Sequence, residues 1–373
     1  MSGEVALVWG PSLLDYKLSE DHPLQQVRVQ LTVDEIERRG LDRGVIRLEP
    51  RQATDEELSR TQTPAFVELV RALSRPETRD RPALVRAGQH GFGSEDNPIA
   101  DGMHEASAIV CGASLVGAEA VHRGEALHAF NPAGGLHHAS RDRASGFCVY
   151  NDVASAIAWL RLQGHRVACV DVDVHHGDGT QWIFYDDPEV LTLSLHESGR
   201  YLFPGSGFVD ETGSGEGRGA SANLPLSPYL WDEPWLAAFD AVVPPLLRDF
   251  RPTVLVSQDG CDTHLLDPLA HLRCSTAIWP VVGRRLHALA HELCEGRWLA
   301  LGGGGYAIRE VVPRAWTLLF AEMVERPEVA SDLLDPEPFP PPPEAQERIW
   351  ALLEHDVPAL GKALGRALSL GAG

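Results

Sequence analysis

The densest chemistry in this chain lies in VDVDVHHGDGT, residues 170–180, which holds Asp171, Asp173, His175, His176 and Asp178. The apolar run RVACV before it predicts a buried strand, and Gly177 and Gly179 predict the turn that ends it. Alternation along a strand puts Asp171, Asp173 and His175 on one face, able to converge on one point. Carboxylate oxygens and imidazole nitrogens beside an open position are the ligand set of a catalytic divalent metal. A solvated loop has little need of two histidines and three aspartates directly after an apolar strand.

Three more predicted strands end in residues of the same kind. ALHAF at 126–130 is followed by NPAGGLHHAS, with Gly134, Gly135, His137 and His138. TVLVSQ at 253–258 is followed by DGCDTHLLDP, with Asp259, Asp262, His264 and Asp267. WLAL at 298–301 runs into GGGGY, which ends in Tyr306. Taken singly, each has a plain structural reading: a histidine pair in the core, an aspartate capping a turn, a flexible glycine turn. Open α/β sheets, however, bind their ligands beyond the carboxyl ends of the strands, and four such ends point to one shared site. Glycines there let backbone approach a substrate, and a tyrosine hydroxyl can donate to a developing oxyanion.

The elements that must position these residues read as strands alternating with helices. VALVW at 5–9 and VLTLSL at 190–195 complete the predicted strands, and 153–162, 234–250 and 274–295 are amphipathic helical stretches. That alternation predicts an α/β fold: a single three-layer domain with a central, mainly parallel sheet covered by helices on both faces. Segment 65–84 and loop 90–103 read as irregular, placed to rim a site. No composition break precedes residue 330. Beyond it, DLLDPEPFPPPPEAQE, with residues 340–343 all proline, predicts a stiff extended crossing. The reading is a catalytic domain over 1–330 and a Pro-rich extension over 331–373. A last helix over 345–368 is expected to pack back on the body through Trp350, Leu352, Leu353, Leu360 and Leu364.

Composition excludes several classes. With 373 residues, 44% hydrophobic and 23% charged, the chain is that of a globular protein. A net charge of −21 and no basic cluster argue against a nucleic-acid partner. Cys111, Cys148, Cys169, Cys261, Cys274 and Cys294 are scattered without a CxxC pair, which suits reduced thiols in a reducing compartment. MSGEVALVWGPS lacks the basic and apolar regions of a signal peptide, and no apolar stretch approaches the ~20 residues that span a bilayer. The expectation is a soluble, cytoplasmic protein with no membrane partner.

GGLHHA, SGFCVYND, VDVDVHHGDGT, SQDGCDTHLLDP and LGGGGY, in that order, resemble the histone deacetylase superfamily, metal-dependent deacetylases with an arginase-like α/β fold. The resemblance runs from about residue 15 to 325. FGSEDNPIADGMHEA and the Pro-rich extension look most like bacterial acetoin-utilisation-type deacetylases. The resemblance implies hydrolysis of N-acetyl or longer N-acyl groups on lysine side chains by a metal-activated water. Matched position by position, Asp173, His175 and Asp262 are the metal ligands. His137 and His138 are the tandem histidines, oriented by Asp171 and Asp178, and Tyr306 is the transition-state tyrosine. His138 would take a proton from the water and return it to the leaving amine, with His137 as electrostatic support and Tyr306 sharing the oxyanion with the metal. Zinc is the implied metal, and iron(II) suits the same ligands.

The resemblance further implies a narrow apolar tube along Phe147, Phe203 and Leu269, with Gly146 and Gly304 beside it and Asp96 holding the substrate backbone at the rim. A structural potassium is implied at Asp171, Asp173, His175, Ser194 and Leu195, and a second cation near Phe184 and Val190. His176 and His196 read as structural. The partner is then an acetylated or acylated lysine of a protein or peptide. An acetylpolyamine deacetylase would use the same metal site behind a narrower acidic entrance, for which Asp96, Asp101 and Glu105 are available. A two-metal ureohydrolase would carry carboxylates where His137 and His138 stand, and a non-catalytic acyl-lysine binder would have lost Tyr306 or a ligand.

Overall fold

The computed structural model describes residues 4–371. Eight strands form one sheet: β1 Val5–Val8, β2 Ile46–Leu48, β3 His128–Asn131, β4 Val167–Asp171, β5 Val190–Glu197, β6 Ser221–Leu226, β7 Val254–Gln258 and β8 Trp298–Leu301. Their order across the sheet is β2-β1-β3-β8-β7-β4-β5-β6, and every pair is parallel. The sheet is therefore wholly parallel, where a mainly parallel one was expected. Its interior strands are buried end to end, as strands covered on both faces must be.

Alternate residues of each strand serve opposite layers. Val167 and Cys169 pack with Val153 and Ile157 of the helix Asp152–Leu162, beside the helix Met103–Arg123. Ala168 and Val170 face the other way, into the larger core with Trp235, Phe239 and Leu286. That second layer comprises the helices Val27–Arg38, Asp232–Phe250, Ile278–Leu293 and Val312–Met323. The three-layer arrangement is the one predicted. Among the described residues no helix is long and apolar enough to cross a membrane, and all six cysteines are buried and unpaired.

Three local expectations are corrected. The edge strands β2 and β6 went unpredicted because β2 is three residues long with Arg47 outward, and β6 contains Pro225, which a sheet accepts only at an edge. Segment 65–84 is not irregular: helices span Pro64–Leu73 and Arg81–Gln89. Thr63 caps the first by accepting the Phe66 N–H, and Pro64 opens it, burying Phe66, Val67, Leu69, Val70 and Leu73. The last helix runs Pro343–Leu364, starting at the final proline of the run. It packs on β6 and the helix Asp232–Phe250 through Ile349, Leu353, Val357, Leu360 and Leu364, while Leu352 of the expected stripe is exposed.

What positions the site is the register. Asn131 of β3 pairs with Leu301 of β8, Leu301 with Gln258 of β7, and Gln258 with Asp171 of β4. Four adjacent strands thus end in one row, and the four motif loops leave the sheet side by side.

Candidate active site

β4 stops at Asp171, so the alternation expected to carry Asp171, Asp173 and His175 onto one face does not continue. Asp171 turns aside: its Oδ2 accepts the His137 Nδ1–H at 2.7 Å. Asp173 and His175 lie in the bend beyond, and there they meet Asp262 from the loop after β7. His175 Nδ1 sits 3.1 Å from Asp173 Oδ1 and 3.0 Å from Asp262 Oδ2. One ligand atom from each of these three residues lies within 4.8 Å of the others, and all three side chains are buried. Two buried carboxylates aimed at one imidazole nitrogen call for a cation among them. Burial and the neighbouring Asp173 push the Asp262 carboxyl up to about 7. Burial would lower His175, but the two carboxylates outweigh it and hold the ring well above its ordinary range. The donor set, two oxygens and one nitrogen, fits a catalytic divalent metal.

Beside the trio stand the tandem histidines. The His138 Nδ1–H donates to Asp178 Oδ1 at 2.7 Å. Since carboxylates only accept, both rings carry a proton on Nδ1, and their Nε2 atoms face each other at 3.1 Å. His137 Nε2 is 4.0 Å from Asp173 Oδ2. Burial would lower His137, but Asp171 and Asp173 overcome it and raise the ring to about 9. His138 is lowered to about 4 by burial and by the charge on His137. The pair therefore divides the work: His137 is the charged partner, and His138 stays neutral with its Nε2 lone pair facing His137 Nε2.

The walls follow. Phe203 stands edge-on to His138 with centroids 5.0 Å apart, and Phe147 edge-on to Tyr306 at 5.6 Å. Gly146 has φ +50, and a Cβ there would lie 2.3 Å from His138 Cδ2. Gly304 is tighter still: its N–H donates to Asp173 Oδ2 at 2.7 Å, and a Cβ would meet Asp262 Oδ2 at 2.0 Å. Its contacts are thus to the carboxylates of Asp173 and Asp262. Leu269 is half-buried in a turn built on Asp267, whose Oδ1 accepts the Leu269 N–H and whose Oδ2 accepts the Tyr306 N–H. Asp96 is exposed, its carbonyl 3.3 Å from His22 Nε2.

Of the residues expected around a monovalent cation, Asp171 and Ser194 are cross-strand partners. They line a cavity of about 10 Å³ with His176 and Gly177. The Ser194 hydroxyl also meets His196 Nδ1 at 2.8 Å. His196 donates from Nε2 to the Gly207 carbonyl, and His176 is held by Ser206 and Gln181, so both rings are engaged inside the protein. Leu195 lies in β5. Near Val190, the Phe184 carbonyl accepts the Asp187 N–H.

A model of the histone deacetylase domain matches residues 22–323. The chain belongs to the histone deacetylase family. It is 44% identical over 318 residues to the acetoin utilization protein AcuC of Bacillus subtilis strain 168, covering 85% of this chain and 81% of that protein. It is 38% identical over 325 residues to AcuC of Staphylococcus aureus strain MRSA252, covering 87% and 82%. A crystal structure of an HDAC homologue complexed with SAHA aligns with a TM-score of 0.77 at 32% identity, covering 89% of each chain. This is a hydrolase of the deacetylase family.

Within this deacetylase, several supporting residues escaped the sequence reading. Gln258 donates from Nε2 to Asp173 Oδ2 at 2.8 Å and to the Gly135 carbonyl at 3.0 Å, joining the trio of Asp173, His175 and Asp262 to the histidine loop. Asp152 accepts the N–H groups of Gly135 and Leu136, and Asn151 donates to the carbonyls of His137 and Ala139. Tyr16 donates to the Phe147 carbonyl at 2.7 Å and accepts the Val149 N–H, pinning Phe147 at φ +70. Arg28, fully buried, donates to the Gly305 carbonyl. Asn151 and Asp152 were visible as an N-cap pair opening a helix. Tyr16 and Arg28 carry no local signal, since their partners lie in distant parts of the chain.

Proposed function

We propose that this deacetylase removes acetyl or longer acyl groups from lysine side chains of proteins or peptides, with a zinc ion held by Asp173, His175 and Asp262. The observation that carries the reading is one convergence: the buried ligand trio, the His137–His138 pair and Tyr306, between two edge-on phenylalanines. When bound, the ion supplies Lewis-acid polarisation of the acyl carbonyl and makes water more acidic. Iron(II) suits the same three ligands.

The protein's own groups do the rest. His138, its Nδ1–H fixed on Asp178, takes a proton at Nε2 and returns it to the leaving lysine amine. His137, kept charged by Asp171, stabilises negative charge as it develops. Tyr306 is held by Asp267 through its backbone. Burial and the carboxylates of Asp262 and Asp173 keep its hydroxyl protonated, so it donates to the oxyanion. Phe147 and Phe203 admit a slim alkyl chain, with Leu269 beside the Tyr306 turn, and Asp96 receives substrate N–H groups at the rim. Potassium is proposed in the cavity lined by Asp171 and Ser194, about the size of one small ion, with the carbonyls of Asp173, His175 and Leu195 as its further proposed ligands. Six buried, unpaired thiols suit the reducing cytoplasm as its compartment.

The polyamine alternative needs an acidic mouth. Asp101 pairs with Arg79, and Glu105 with Arg75 at 2.9 Å, so two of the three carboxylates are already neutralised. The test is acetate release from an N-acetyl-lysine peptide and from acetylspermidine, each with and without chelator. Chelator-sensitive release from the peptide is expected. Release from acetylspermidine alone would overturn the protein substrate, and release indifferent to chelator would overturn the metal.

A further inference from the structure

A second convergence of ligand-type side chains lies at the opposite end of the sheet. His128 opens β3 at its amino end, whereas His137 and His138 follow that strand's carboxyl end. His287 and His291 stand one turn apart on the helix Ile278–Leu293, a spacing that sets two imidazoles on one helix face. Ring centroids are 4.7 Å apart for His128 and His287, 5.1 Å for His128 and His291, and 4.7 Å for His287 and His291. One ring nitrogen from each lies within 4.8 Å of the other two.

The geometry suits an ion better than it suits hydrogen bonding. His128 Nε2 and His291 Nε2 are 3.3 Å apart. Two nitrogens on one tetrahedral ion, each at ~2.0–2.1 Å from it, would be separated by roughly 3.3 Å. His128 is 2% exposed, and its Nδ1 has no hydrogen-bond partner. Its whole polar satisfaction is thus a single long imidazole contact, a poor return for a buried ring. His287 is already oriented: its Nδ1–H donates to the Glu322 carbonyl at 3.3 Å, which leaves the Nε2 lone pair for a ligand. That Nε2 is 3.9 Å from Glu325 Oε1, within reach of a fourth, carboxylate ligand. The cavity they line measures about 270 Å³, with Glu4, Glu325, Arg43 and Arg326 also on its walls; the Arg326 guanidinium is engaged by the Gly40 carbonyl. Burial and the two neighbouring imidazoles hold His128 down at about 3, and burial lowers His287 as well. Both rings are therefore neutral donors at neutral pH.

We propose that His128, His287 and His291 form a second metal site, for a divalent transition ion that prefers imidazole, such as zinc, nickel or copper. It is remote from the reaction. An ion there ties the start of β3 to the helix Ile278–Leu293 and so stabilises the folded chain by mass action.

The test is metal content of untagged protein, stripped with chelator and equilibrated with buffered zinc. Substituting His287→Ala and His291→Ala together touches a partly exposed helix face outside the catalytic machinery. The doubly substituted chain is expected to hold one equivalent less zinc than the unsubstituted chain, at equal deacetylase rate. Copper added to Asp173→Ala protein should show imidazole-nitrogen couplings in its electron paramagnetic resonance spectrum that vanish on adding the two substitutions. Equal zinc content in the unsubstituted and doubly substituted chains, or copper couplings unchanged by the substitutions, would overturn the site. The zinc comparison does not require the catalytic assignment to be right.

Discussion

Adding one methyl group at Gly146 is expected to disable His138, the proposed base, while leaving the proposed metal ligands intact. A Cβ there would lie 2.3 Å from His138 Cδ2, 2.7 Å from His138 Cγ and 2.9 Å from Phe203 Cε1. Carbon atoms rest at ~3.5–4.0 Å, so the His138 ring must retreat by more than about 1 Å. That is enough to break alignment with Asp178, and a misplacement of this size costs roughly 100-fold in rate. The backbone adds its own term, since φ is +50 and an L residue in that region is strained by ~1–2 kcal/mol. Gly164→Ala isolates that second term: φ is +84 with nothing within 4 Å of the added carbon. The assay is kcat and KM on an acetyl-lysine peptide, with thermal midpoint and bound metal measured alongside. Gly146→Ala should lose kcat about 100-fold at unchanged metal content, while Gly164→Ala should lose only thermal stability. Wild-type kcat in Gly146→Ala would refute the argument that this wall fixes His138.

Further outcomes follow from other contacts. Tyr306→Phe removes one oxyanion donor and should lower kcat by roughly 100-fold or more at full metal content; metal analysis beside steady-state kinetics checks it. Gln258→Leu deprives Asp173 Oδ2 of a donor at 2.8 Å and should weaken metal affinity by about 10–100-fold, read by competition with a chromophoric chelator. Burial alone would raise Asp335, but the Thr276 N–H, His264 and Arg314 hold its carboxyl down at about 2. A depressed carboxyl contributes stability above its unfolded pKa and loses it as pH falls through the folded value, here from about 4 towards 2. Asp335→Asn should therefore cost about 1–2 kcal/mol at pH 7, and the difference from wild type should shrink below pH 4. Urea unfolding at several pH values checks both statements.

Residue type alone made the proposed reacting groups legible. Asp173, His175, Asp262, His137, His138 and Tyr306 each follow an apolar strand at its carboxyl end, and a metal site or a base needs carboxylates and imidazoles there whatever the fold. The interior strands were equally legible, because burial on both faces leaves continuous apolar runs. Short or proline-bearing edge strands leave no such run, which is why β2 and β6 were silent. The helix Pro64–Leu73 did carry its signal, in Thr63, Pro64 and the apolar positions after them, and periodicity would have found it.

Tertiary structure decided the rest. The sequence orders β3, β4, β7 and β8 far apart, and only the sheet places them side by side with Asn131, Leu301, Gln258 and Asp171 in one row. Strand alternation assigned Asp171 to the ligand face; the end of β4 gave it instead to His137. Tyr16, Arg28 and Gln258 hold the site through one or two hydrogen bonds each to distant loops, and isolated long-range bonds have no periodicity to read. The trio of His128, His287 and His291 is the extreme case. A strand start and a helix face meet only because two layers pack together, and nothing local to any of the three residues records that meeting.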